Sequence, residues 1–260
     1  MAEAVSTQTV AFADAGGLAE GASVRAAGKI SEAIVDRNAA LIILSGGSTP
    51  RETYRLLAHE IREKEIPVRK LRWFLGDERW VPLTSPQSNE AMARESLLGP
   101  IGAPDSTVFS WGAGKGDPVE CARRYAERVR EAMEGNGPDV VFLGMGADGH
   151  TASLFPDGVA HVPNHGSVPV GPDIPGLAAA VASQSAGGWR LTLCPRVLNR
   201  GRTVIFLVSG AEKAEALRRV RSGDVAAPAA WIRGKTTVYL VTRDALGPEA
   251  VDFGKDIRHA

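Results

Sequence analysis

The sequence predicts an α/β protein: a single domain over residues 1–260, with a mainly parallel, Rossmann-like sheet flanked by helices and a small antiparallel strand pair beside it. Three observations carry this. Unbroken apolar runs such as Leu41-Ile42-Ile43-Leu44 and Val140-Val141-Phe142-Leu143 read as strands buried on both faces, the signature of parallel strands. Stretches of helical period lie between the runs, so strands and helices alternate. The runs also stop abruptly in glycine and polar residues, which puts chemistry at the carboxyl ends of the strands, where open α/β sheets bind ligands.

Residues 9–13 open the sheet. Leu18, Ala22, Val24, Ala27, Ile30, Ala33 and Ile34 recur at three- and four-residue intervals, and predict an amphipathic helix over 18–34. The strand Leu41-Ile42-Ile43-Leu44 runs into Ser45-Gly46-Gly47-Ser48-Thr49-Pro50 and a helix over 50–64, with Pro50 at the first helical position, where a missing N–H costs little. The glycines expose backbone N–H groups, the hydroxyls add donors, and the helix dipole turns its positive end to the same spot. These are the parts of a phosphate cradle. No Gly-Lys-Ser/Thr closes the loop, so it is not a Walker A motif; a plain βα turn is the other reading of the same residues. Residues 71–75 form a third strand and lead into Gly76-Asp77-Glu78-Arg79-Trp80. Arg79 can meet a substrate anion or pair with Asp77 or Glu78, and the sequence leaves both open. A helix over 89–98 takes Ser88 as N-cap, and Ala91 at its third position rules out a capping box. A weak strand over 107–111 precedes a helix over 118–133 whose core stripe is Cys121, Tyr125, Val129 and Ala132.

The strand over 140–143 leads into the stretch with the most chemistry. Gly144, Gly146 and Gly149 let the backbone turn sharply and approach a ligand, and among them sit Asp148 and His150, one residue apart. The glycines satisfy a dinucleotide fingerprint, but no helix opens on Gly149 and the region about 20 residues on is broken by Pro169, Pro172 and Pro175, so no nucleotide is expected. His150, between this loop and the apolar Ala152-Ser153-Leu154-Phe155-Pro156, reads as a site histidine rather than one satisfied by backbone. Residues 157–175, rich in proline, read as a loop or lid. His161 and His165 within it have no carboxylate or cysteine at ligand spacing, so no metal site is expected. Residues 177–182 and 189–193 form the antiparallel pair. Residues 203–208 are a further strand, leading into Ser209-Gly210-Ala211-Glu212-Lys213 and a helix to about Arg221. Lys213 in the first turn opposes the helix dipole, which an anion in the site would offset. Residues 236–241 close the sheet, and the tail from Arg243 is a short cap.

Thirty basic and 30 acidic residues leave a formal net charge of zero, which removes any bulk electrostatic case for nucleic acid or an anionic membrane. The two cysteines, Cys121 and Cys194, have no metal or redox spacing and are expected as buried free thiols. No run of 18 apolar residues spans a membrane, and the first residues lack a charged n-region with an apolar h-region. The expectation is a soluble, cytoplasmic protein acting as a monomer or weak homo-oligomer.

Together, Ser45-Gly46-Gly47-Ser48-Thr49-Pro50, Asp77-Glu78-Arg79-Trp80-Val81-Pro82 with Ser88-Asn89, the run from Gly144 through Asp148-Gly149-His150 to Phe155-Pro156, Arg190-Leu191-Thr192-Leu193 and Gly210-Ala211-Glu212-Lys213-Ala214 resemble the 6-phosphogluconolactonases along nearly the whole chain. The resemblance implies the fold shared with glucosamine-6-phosphate deaminases and ribose-5-phosphate isomerases, no metal, no nucleotide and no other cofactor. It implies hydrolysis of a sugar-phosphate lactone, the second step of the oxidative pentose phosphate pathway. Deaminases of similar motif continue Asp-Gly-His with isoleucine-alanine-phenylalanine-asparagine-glutamate-proline and carry tyrosine at the position of Arg79; this chain departs from both. It departs from the lactonases at Ser185-Ala186-Gly187-Gly188-Trp189, where they often have a proline-rich approach to the arginine. On this reading His150 is the general base and then the acid, with Asp148 orienting or polarising the site. Gly46, Gly47, Ser48 and Thr49 take the phosphate, Arg190 and Lys213 supply charge, and Asp77 and Arg79 contact the substrate.

Overall fold

The apolar runs are strands, and they pair in parallel. The structure, a computed structural model, describes residues 5–247 and 257–259. In chain order it begins with β1 (Ser6–Phe12), α1 (Ala15–Arg37), β2 (Ala40–Leu44) and α2 (Ser48–Glu63). β3 (Leu71–Leu75) passes almost directly into β4 (Asp77–Arg79), followed by α3 (Asn89–Ala93), β5 (Val108–Phe109) and α4 (Pro118–Met133). Next come β6 (Val140–Gly144), β7 (Val159–Val162), β8 (Gly166–Pro169), β9 (Ala178–Ala182), β10 (Arg190–Leu193) and α5 (Pro195–Leu198). β11 (Thr203–Val208), α6 (Ala214–Arg221), β12 (Thr236–Thr242), α7 (Arg243–Leu246) and β13 (Ile257–His259) complete the order.

Eight strands make one parallel sheet in the order β13-β1-β12-β11-β6-β2-β3-β5. The chain leaves β2 toward β3 but leaves the neighbouring β6 toward β11, on the other side. Connections diverge at this pair, and such a switch point leaves a crevice outside the carboxyl strand ends. α1 packs on α2, while α4 returns the chain to β6 and packs on β9. β2, β6 and β11 are buried almost throughout, as their unbroken apolar runs require.

The expected antiparallel pair is part of something larger. β9 and β10 are the middle of a five-stranded antiparallel sheet, β4-β10-β9-β7-β8. Its other three strands were not expected: β4 is three polar residues, and β7 and β8 lie in the segment read as a loop or lid. That segment is a hairpin turning at residues 163–165, with Asn164 at a φ of 64°. Pro169 is tolerated because β8 is an edge strand, whose end needs no N–H. Nor does β12 close the parallel sheet, since it lies between β11 and β1. The cap expected from Arg243 begins as α7; residues 248–256 lie outside the described residues.

Helix ends shift for local reasons. Asp14 accepts from Gly17 N at 2.9 Å and starts α1 earlier than the apolar period suggests. α2 begins at Ser48, so Pro50 is its third residue, still within the first turn, whose N–H groups have no helical partner. The helix expected over 89–98 is α-helical only to Ala93; over Arg94–Leu98 it widens to a π-helical turn, and Gly99 N bonds Arg94 O at 2.9 Å. Ser88 caps α3 as expected, through Ala91 N at 3.1 Å.

Two buried tyrosines brace the strand ends beneath the crevice. Tyr54 Oη accepts from Ser45 N at 2.8 Å and donates to Ser45 O at 3.0 Å; Tyr125 Oη does the same to Leu75 N and O, both at 2.9 Å. Tyr54→Phe strips both backbone groups of Ser45 of their partner in a buried place. The expected cost is about 1–3 kcal/mol, seen as a fall of several degrees in Tm; a variant melting with the native chain would refute the brace.

Candidate active site

At the switch point a crevice of about 320 Å³ opens between the loops that follow β2, β6 and β11. Larger hollows of about 720 and 810 Å³ lie on the outer faces of α2 and α1, without convergent chemistry.

The loop after β2 brings in Gly46, Gly47, Ser48 and Thr49, all lining the crevice. α2 has no side-chain cap at its N-terminus, so its first N–H groups and the positive end of a 16-residue helix face the cavity. Ser45, its backbone held by Tyr54, has a buried hydroxyl without a hydrogen-bond partner among the described residues. Across the crevice stands Lys213, in a 3-10 turn (Ala211–Lys213) ahead of α6, its Nζ 3.8 Å from Glu212 Oε1. Lys213, expected in the first turn of the following helix, lies just ahead of it, because Ala211–Lys213 form a 3-10 turn, and it lines the same crevice as the loop after β2.

The loop after β6 carries the imidazole. Gly146 N donates to His150 O at 2.9 Å, Gly149 N to Gly146 O at 3.0 Å, and Thr151 Oγ1 to Gly144 O at 2.8 Å, which folds the chain back on itself. Inside the turn, Asp148 Oδ1 accepts from His150 N at 3.0 Å and lies 2.6 Å from His150 Nδ1. An ionised Asp148 places the ring proton on Nδ1 and leaves the lone pair of Nε2 available. His150 lines the crevice while Asp148 stands behind it, and Phe155 packs on the ring with centroids 4.5 Å apart. Burial pushes the Asp148 carboxyl up, but the hydrogen bonds and charge of His150 outweigh it and hold the group below its ordinary value. A lowered carboxyl contributes stability that is present above the ordinary carboxylate range and lost as pH falls through the lowered value. The gap in Tm between the native chain and Asp148→Asn should thus be widest near neutrality and close as pH falls through the lowered carboxyl value; a gap independent of pH would refute the coupling.

The third wall comes from the antiparallel sheet. Asp77 lines the crevice but is buried, with both carboxylate oxygens engaged: Ser153 Oγ donates to Oδ2 at 2.7 Å and Asn89 Nδ2 to Oδ1 at 3.2 Å. Burial raises its carboxyl, and Ser153 and nearby cations only partly offset this. Arg79 lines the crevice and donates to Gln87 O at 2.8 Å. Arg190 is its register partner on β10, but sits outside the lining, its guanidinium turned to Ala186 O and Trp189 O. Burial lowers the Arg190 group, and the charge of Arg79 adds to the effect. Asn89, Ser153 and Glu212 are among the residues that sequence reasoning did not assign to the site. All three stood in recognised motifs, and Asn89 had the further signal of its position beside a helix cap.

Fold and crevice define a doubly wound α/β protein that holds an imidazole–carboxylate pair in one crevice with the open N-terminus of α2 at its switch point. A family model described as glucosamine-6-phosphate isomerases/6-phosphogluconolactonase matches residues 13–240. The chain is 35% identical over 218 residues to a 6-phosphogluconolactonase of Synechocystis, covering 82% of each chain, and 34% identical over 245 residues to one of Mycobacterium leprae, covering 90% of this chain and 95% of that one. The crystal structure of 6-phosphogluconolactonase from Thermotoga maritima superposes with a TM-score of 0.76 at 27% identity, over 91% of this chain and 100% of that one. The chain belongs to the glucosamine-6-phosphate isomerase/6-phosphogluconolactonase family, on its 6-phosphogluconolactonase branch. Among the described residues, no helix is long and apolar enough to cross a membrane.

Proposed function

We propose that the chain hydrolyses 6-phospho-D-glucono-1,5-lactone to 6-phosphogluconate, the second step of the oxidative pentose phosphate pathway, without a cofactor. The observation that carries the reading is the His150–Asp148 pair, 2.6 Å apart, whose free Nε2 belongs to the same crevice as the open N-terminus of α2. The likeness to the Synechocystis and Mycobacterium leprae enzymes supports the substrate.

Nε2 of His150 takes a proton from water as its oxygen bonds to C1 of the lactone. The carbonyl electrons move onto oxygen, and backbone N–H groups of the 144–149 loop, other than those of Gly146 and Gly149 that bond within the turn, stabilise that developing charge. When the tetrahedral intermediate collapses, the bond from C1 to the ring oxygen breaks and the imidazolium returns its proton to that oxygen. Asp148 holds the proton on Nδ1 and balances the transient positive charge. The phosphate sits on Gly46, Gly47, Ser48 and Thr49 with Lys213 beside it. Arg79 faces the sugar-acid end, and Arg190 adds positive field from behind. Asp77 serves by position. We read residues 1–260 as one domain, because a continuous buried cluster runs through both sheets.

The test generates the lactone in place and follows 6-phosphogluconate release above spontaneous opening. Acceleration supports the reading. If the native chain gives none, it fails, and ammonia release from glucosamine 6-phosphate becomes the next assay.

A further inference from the structure

We infer that the adjacent carboxylates Asp77 and Glu78 form an internal clamp that sets the spacing between the base loop and the phosphate cradle, with Ser153 and Asn89 as its positioning residues. The inference rests on the function proposed above for the roles of the two loops, while the clamp itself is read from the geometry.

Successive residues of a strand point to opposite faces, so β4 can present two neighbouring carboxylates to different partners. Glu78 is 2% exposed and gives three of its four accepted hydrogen bonds to the start of α3. Its Oε1 accepts from Asn89 N at 2.7 Å and Arg79 N at 2.8 Å, and its Oε2 from Glu90 N at 2.8 Å and Ser88 Oγ at 2.9 Å. Three donors from Ser88, Asn89 and Glu90 on one buried carboxylate hold that helix start in place. Asn89 is thereby fixed, and its side chain reaches back: Nδ2 donates to Asp77 O at 3.0 Å and to Oδ1 at 3.2 Å. The other side of the Asn89 amide rests on Gly46, the first glycine of the cradle. A Cβ at Gly46 would lie 1.7 Å from Asn89 Oδ1, so only glycine admits this approach.

The second oxygen of Asp77 faces the base loop. Ser153 Oγ donates to it at 2.7 Å, and Ser153 N lies 3.3 Å from Thr192 Oγ1 on β10. Between His150 and Ser153 the chain makes a tight turn, bridged from Thr151 to Leu154, with Ala152 at a φ of 47°. A non-glycine residue in that region persists only where the surroundings hold it, and the grip of Asp77 on Ser153 is one such restraint. Asp77 thus joins the two loops, through Ser153 to the histidine and through Asn89 to Gly46. Residues 76 positions apart meet in one buried hydrogen bond.

The two arms predict different kinetics. Ser153→Ala frees the base loop, and should lower kcat about 10–100-fold, the usual penalty for losing a group that orients a functional ligand, with affinity for 6-phosphogluconate near native. Asn89→Ala frees the cradle, and should weaken 6-phosphogluconate binding by calorimetry by a similar factor while costing less in kcat. Ser153→Thr, which keeps the hydroxyl, should recover most of the activity. A readout that needs no turnover is the NMR signal of the Nδ1 proton between His150 and Asp148. Ser153→Ala should shift or broaden it, and Asn89→Ala should leave it in place.

Variants that only lower Tm, with kcat, affinity and the proton signal native at 25 °C, would overturn the clamp. So would an unchanged His150 proton in Ser153→Ala. A native chain inactive on the lactone would defeat the proposed function, and the proton signal would still decide the clamp.

Discussion

His150→Ala is expected to lower kcat for lactone opening by about 10²–10⁴-fold, the range that a positioned general base contributes. KM should stay near native, because the loop after β2 and Lys213, proposed above to hold the phosphate, do not depend on the imidazole. The residual rate above spontaneous opening would come from the oxyanion donors and from holding the lactone in place. The measurement is a coupled assay of native and variant protein side by side, with the spontaneous rate subtracted. A variant with native kcat would remove His150 from the chemistry. A variant with native kcat and a raised KM would make it a binding residue instead.

Gly146→Ala should be nearly as damaging, although it adds only a methyl group and removes no functional atom. A Cβ on Gly146 would lie 2.1 Å from His150 Nδ1, 2.3 Å from Cε1 and 2.4 Å from Asp148 Oδ1. The methyl would occupy the space of the pair itself, so the imidazole, the carboxylate or the turn must move. A displacement on the order of 1 Å in a reacting group can cost about 10²-fold in rate, and that is the expected loss in kcat. The turn also carries the 2.9 Å bond from Gly146 N to His150 O, so a drop in Tm should accompany it. The double variant separates damage to the pair from general damage. If Gly146 acts through His150, adding Gly146→Ala to His150→Ala should lower kcat little further. Additive losses would place the effect elsewhere in the fold.

Much of this was legible along the chain. Apolar runs named β2, β6 and β11 because a strand buried on both faces has no polar side to show. The bounds of α4 were legible because its apolar stripe, Cys121 to Ala132, runs nearly its full length from Pro118. The glycine loop after β2 and the Asp148–His150 pair were legible because each is local, its parts within six residues of one another. The composition removed any electrostatic case for nucleic acid before any fold was known.

What tertiary structure alone decided is everything that joins distant residues. β4 has no strand pattern of its own, and becomes a strand only because β10 offers it backbone partners. The proline-rich segment folds as a hairpin because β9 presents an edge on which β7 can pair. The order of the parallel sheet, with β12 inside it, follows from packing that no local signal encodes. Arg190, paired in register with Arg79, turns away from the crevice because backbone carbonyls at Ala186 and Trp189 take its donors. Asp77 looked in sequence like a substrate contact, but its oxygens are engaged by Ser153 and Asn89. Periodicity and motif report what a residue is suited to do. Which partner it meets is settled by long-range closure, and there lies the division between what this sequence determined by itself and what only the folded chain supplied.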